Sequence, residues 1–118
     1  MNIRPKTIIC DIDGVLIRHA NQGVSAQLEQ SMLDGTIKKI SEWDSKGYNI
    51  ILITGRRESE RYQTEKQLHV TGIFYDKLIM GVGGGDRVLI NDRKPASSRD
   101  TAYSINLNRN EGVKNVEI

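Results

Sequence analysis

Thr7-Ile8-Ile9-Cys10-Asp11-Ile12-Asp13-Gly14-Val15 is the stretch on which the fold turns. Its first half is short, apolar and β-branched. That composition predicts a strand buried on both faces, as strands are in parallel sheets. The run then meets two acids, one residue apart, and a glycine. A buried strand rarely tolerates a carboxylate without a partner, so Asp11 and Asp13 mark the point where the strand leaves the core. Side chains alternate along a strand, so the two acids point the same way after one pleat.

Further along the chain the same pattern returns. Asn49-Ile50-Ile51-Leu52-Ile53-Thr54 predicts a second buried strand. Lys77–Met80, Arg87–Asn91 and Ala102–Leu107 predict three weaker ones. Between the first two, Leu33, Ile37, Ile40 and Trp43 step by four, three and three, which is one stripe of an amphipathic helix. Gly47 ends it. Arg57 to about Val70 predicts a second, mostly exposed helix, stopped by Gly72. Strands alternating with helices imply an α/β fold with a mainly parallel sheet and right-handed crossovers. Arg18 to Met32 is polar and poorly periodic and is expected to be a loop or flap. Val82-Gly83-Gly84-Gly85 reads as a hinge-like turn rather than a phosphate cradle, because it lacks the lysine-and-hydroxyl ending of a P-loop. The tail after Asn108 reads as loose, with Val113, Val116 and Ile118 available for a short last strand.

Length and composition narrow the function classes. The chain has 118 residues, 37% hydrophobic and 27% charged, with a mean hydropathy of -0.47. One core and one domain are expected. A single cysteine, Cys10, excludes an internal disulfide or a multi-cysteine zinc site. No apolar run approaches the roughly 20 residues that span a bilayer, and no signal peptide is read, so the cytoplasm is the expected compartment. Seventeen cations against fifteen anions leave a net charge of +2, too small an excess to argue for nucleic-acid binding.

Open parallel sheets bind ligands at the carboxyl ends of their strands. Three strands end there in polar groups: Asp11-Ile12-Asp13-Gly14, Thr54-Gly55-Arg56 and Asn91-Asp92-Arg93-Lys94. Clustered carboxylates with an incomplete oxygen shell suit Mg2+. With phosphate neutralised, one carboxylate can attack phosphorus and the other can move the proton.

Asp11-Ile12-Asp13-Gly14-Val15, Ile51-Leu52-Ile53-Thr54-Gly55-Arg56 and Val88-Leu89-Ile90-Asn91-Asp92, in this order, resemble the first, second and fourth motifs of the haloacid dehalogenase superfamily of phosphatases. The resemblance implies a Rossmann-like three-layer sandwich. It also implies roles by position. Asp11 is the nucleophile and a metal ligand, and Asp13 is the general acid and base with its main-chain carbonyl on the metal. Thr54 and Gly55 bind phosphate, and Asp92 binds Mg2+, with Asn91 as a weaker ligand where relatives carry an acid. The third-motif cation is assigned to Lys94, while Lys77 and Arg87 are expected at the far edge. Arg56, Arg93 and His19 are candidate substrate contacts.

The implied protein is a single domain over residues 1–118 without a cap, with 18–32 as a flap in its place. It is an Mg2+-dependent phosphomonoesterase, with a small sugar phosphate ranked first and a homo-oligomer expected. Phosphorylated nucleic-acid ends or phosphoproteins are the alternative substrates, with nucleic acid ranked low. A receiver-like or non-catalytic phosphate binder is the rival class.

Overall fold

The computed structural model describes residues 4–19 and 31–118. Strand β1, Thr7–Asp11, pairs in parallel with β2, Asn49–Ile53, and β2 pairs in parallel with β3, Lys77–Ile79. The sheet order is β1-β2-β3. Helix α1, Thr36–Ser45, connects the first two strands. A 3-10 turn, Glu58–Glu60, leads into helix α2, Arg61–Thr71, which connects the second and third.

The register places Asp11 opposite Ile53, so the acid at the end of β1 and the loop that follows β2 share one edge of the sheet. Ile50 and Leu52 of β2 are fully buried, and Ile8 and Cys10 of β1 point into the same core. The helices supply its other half. Ile40 and Trp43 of the expected stripe and Leu68 of α2 are buried, and Ile37 packs against them. At Gly47, positive φ lets the chain reverse, and the Tyr48 N–H closes the helix by donating to the Trp43 carbonyl at 3.0 Å.

Three expectations are corrected. First, β1 is not buried on both faces, because Ile9 is 50% exposed while Ile8 and Cys10 are buried. Second, Arg87–Asn91 and Ala102–Leu107 form no strand. Val88, Leu89 and Ile90 are 84%, 60% and 91% exposed. An apolar run becomes a strand only when a neighbour takes up its backbone groups, and here neither run pairs with the sheet. Third, the tail is not loose. Val113 and Val116 enter the core, although they do so from a turn and not from a strand. Most of the expected 18–32 flap lies outside the described residues. No described helix is long and apolar enough to cross a membrane.

Candidate active site

After β1 the chain folds back on itself. The Ile12 carbonyl accepts hydrogen bonds from the N–H groups of Val15, Leu16 and Ile17. Ile12, Leu16 and Ile17 are fully buried and anchor this loop from below. Gly14 turns it with a φ of 89°, and its carbonyl accepts from the Asn110 N–H at 2.8 Å. The result is a rigid mount that holds Asp11 and Asp13 at the mouth of a cavity of about 520 Å³.

The opposite wall comes from the loop after β2. The Thr54 N–H donates to the Ile79 carbonyl, the Gly81 N–H to the Arg56 carbonyl and the Val82 N–H to the Thr54 carbonyl, so this loop is tied to the end of β3. Gly55 lets the two loops approach closely, since a Cβ there would stand 3.3 Å from the Gly83 carbonyl oxygen. Gly55 and Arg56 line the cavity. Thr54 does not. It is buried, and its Oγ1 accepts the Arg56 N–H at 3.1 Å.

Arg56 binds Asp13 through both arms of its fork. Its Nε donates to Asp13 Oδ2 at 3.0 Å and its Nη2 to Asp13 Oδ1 at 2.7 Å. Its Nη1 donates to Thr64 Oγ1 and Gln67 Oε1 of α2, at 3.2 and 2.8 Å. Among the described residues, the Asp11 side chain accepts only the adjacent Ile12 N–H, at 3.0 Å on Oδ1. Burial pushes its carboxyl above the usual range, and Asp13 adds to that, while the Ile12 N–H, Arg87 and His19 oppose it. Beside it, burial holds the Cys10 thiol neutral, with its pKa pushed up to about 12.

Of the residues singled out by sequence, the cavity therefore gathers Asp11, Asp13, Gly55, Arg56 and His19. It does not gather Asn91, Asp92, Arg93 or Lys94. These lie exposed on the splayed segment and satisfy one another locally. Asn91 Nδ2 donates to Thr101 Oγ1 at 2.9 Å, Lys94 stands 4.0 Å from Asp92, and Arg93 pairs with Asp100.

The expected far-edge position of Arg87 is corrected, because Arg87 lines the cavity and acts on Asp11. Arg109, Gly83 and Gly84 also line it. Sequence reading missed Arg109 because it belongs to no motif. It passed over Gly83 and Gly84 because a lysine ending was demanded of them. For Arg87, the unfilled third-motif position was the available signal.

Among the described residues, no group of three or more histidine, cysteine or acidic side chains could hold a metal ion. The Asp13 carboxylate is committed to Arg56, and the Asp92 side chain is 79% exposed and outside the cavity. In this arrangement the donor set implied by the resemblance does not fit Mg2+.

No family model matches the chain, and neither does any curated protein. Solved structures do match. A chain of the Pnkp1/Rnl/Hen1 complex superposes with a TM-score of 0.55 at 32% identity, covering 64% of this chain and 27% of that one. A second, from the Pnkp1/Rnl/Hen1 RNA repair complex, gives 0.54 at 28% identity, covering 80% and 28%. A structural-genomics protein from Vibrio cholerae gives 0.54 at 20% identity, covering 73% and 79%. The fold is haloacid dehalogenase-like. The chain spans little more than a quarter of the length of the first two matched chains. On this haloacid dehalogenase-like frame, β1 ends in the acid pair and β2 ends in the Thr54 loop, as the motifs imply.

Proposed function

We propose that the protein is a phosphomonoesterase in which Asp11 is the nucleophile and Asp13 the general acid and base. One observation carries this reading. Two carboxylates line one cavity, one committed to a cation and the other, among the described residues, accepting one backbone N–H, with Arg87, Arg109 and His19 around them. In the first step an Asp11 oxygen attacks phosphorus and the ester P–O bond breaks. The leaving oxygen takes its proton from Asp13, which enters this step as the carboxylic acid with its protonated oxygen released from the Arg56 fork. In the second, water attacks the aspartyl phosphate while Asp13 takes its proton, releasing inorganic phosphate and restoring Asp11. The cationic rim draws in the phosphate and stabilises the charge that develops on its oxygens.

The resemblance adds Mg2+, which would neutralise phosphate oxygens when bound. Because the donors described do not fit the ion, no step above is routed through it.

For the substrate, a phosphorylated nucleic-acid end now ranks above a sugar phosphate. Two matched chains above 25% identity come from Pnkp1/Rnl/Hen1 complexes, one of them described as an RNA repair complex. The rim also extends beyond the acid pair to Arg87 and Arg109, which suits a ligand that carries a phosphate chain behind its terminal phosphate. The test is a substrate panel with and without Mg2+, containing 3′-phosphorylated oligonucleotides, sugar phosphates and an aryl phosphate. Release of phosphate from the oligonucleotide well above the sugar phosphates supports the reading, and the reverse order restores the sugar phosphate. Turnover of none sinks the enzyme reading in favour of a binder.

A further inference from the structure

We infer that Arg56 is a positioning residue for Asp13, itself held in place by Thr64 and Gln67 of α2, and not a contact for the substrate phosphate. The inference rests on the phosphatase reading and deepens it.

The geometry of the guanidinium decides this. Arginine has five N–H donors in a fixed fork. Four of them are spent on protein acceptors: two on the Asp13 carboxylate, one on Thr64 and one on Gln67. A phosphate is recognised by two parallel N–H donors on one edge of the fork, and the edge made by Nε and Nη2 already holds Asp13. The Arg56 side chain is 12% exposed, so it cannot swing toward an arriving anion without leaving three partners.

The anchors are themselves fixed. Thr64 is fully buried. The Gln67 Nε2 is buried and has no partner among the described residues, while its Oε1 accepts from Arg56. Asp13 leaves β1 through a turn and touches no element other than this fork through its side chain among the described hydrogen bonds. Its direction is thus set by α2, more than forty residues further along the chain, through Arg56.

A leaving group separates positioning of an acid from the two other roles open to Arg56. An alkyl phosphate needs its leaving oxygen protonated, whereas p-nitrophenolate leaves without help. The quantity to measure is kcat/KM, which reports phosphoryl transfer to the enzyme, for a nucleoside 3′-phosphate ester and for p-nitrophenyl phosphate. Arg56→Lys is expected to lose about 10²-fold on the alkyl ester and only a few-fold on the aryl ester. Gln67→Ala, which leaves every cavity residue in place, is expected to show the same split at smaller size. Arg56→Lys added to Asp13→Asn is expected to cost nothing beyond Asp13→Asn alone.

A rise in KM shared by both esters would make Arg56 a phosphate contact. Equal losses on both, together with a lowered Tm, would make it a purely structural residue. Either result overturns the inference while leaving the phosphatase reading intact. If the wild-type protein turns over neither ester, the phosphatase reading falls and the positioning role falls with it.

Discussion

Arg56 occupies both carboxylate oxygens of Asp13, at 3.0 and 2.7 Å, while the Asp11 side chain, two residues earlier, accepts a single backbone N–H among the described residues. Two acids of the same type, one closing β1 and the other in the loop after it, are thereby held differently. In the proposed phosphatase mechanism the one held in a fixed direction suits proton transfer, and the other suits attack. Asp13→Asn keeps the shape of the side chain but cannot donate a carboxyl proton. It is expected to lower kcat/KM on an alkyl phosphate by about 10²- to 10⁴-fold, with an unchanged circular dichroism spectrum. Retained activity on that ester would remove Asp13 from proton transfer.

Asp11→Asn should separate catalysis from stability. Burial raises the Asp11 carboxyl above its ordinary 3.8. A raised folded-state pKa means that the fold prefers the protonated form. That preference is fully present below the unfolded pKa and is lost as pH rises through the folded one. At pH 7 the ionised group is therefore a net cost to the fold. Asp11→Asn is expected to abolish turnover and to raise Tm at pH 7, with the gain shrinking as pH falls toward 3. Thermal melts across that range check the sign. A lower Tm at pH 7 would show that the charge is compensated in the fold.

Gly35 tests how the tail is held. It precedes α1 with a φ of 83°, and a Cβ there would stand 2.7 Å from Lys114 Cα. Left-handed backbone and a clash with main chain both oppose a side chain. Gly35→Ala is expected to cost about 1–3 kcal/mol in urea unfolding. It should also loosen Val113 and Val116, which hydrogen exchange would register as faster exchange after Asn108. A neutral result would mean that the tail is not seated against this turn.

Ile90 tests the splayed segment. At 91% exposure it contributes little to the core, so Ile90→Thr is expected to change stability by less than about 0.5 kcal/mol. A loss above about 2 kcal/mol, the range of a truncated core side chain, would show that this run packs against the sheet in solution.

The motif that was easiest to read was also the one most tightly built. Asp11-Ile12-Asp13-Gly14 announces itself because acids interrupt a buried run, and the same interruption makes the loop over Ile12. The run at Val88-Leu89-Ile90 reads equally well as a strand, yet it makes none, because a strand depends on a neighbour that no local pattern supplies. Lys94 was chosen for its nearness in sequence to Asp92, and both went astray together when that segment left the sheet. Arg87 and Arg109 reached the cavity from stretches with no motif at all.

Local chemistry by itself determined that the chain is α/β, where β1, α1, β2 and α2 lie, and that an acid pair closes the first strand. Burial period, helix stripes and glycine stops are written in neighbouring residues, so they need no tertiary information. Which cation stands beside which acid was decided only by the fold. Arg56 reads as a candidate substrate contact, like Arg93, until α2 packs Thr64 and Gln67 against it and turns its fork onto Asp13. A guanidinium is satisfied by whichever acceptors surround it in space, and those acceptors come from segments far apart in the chain.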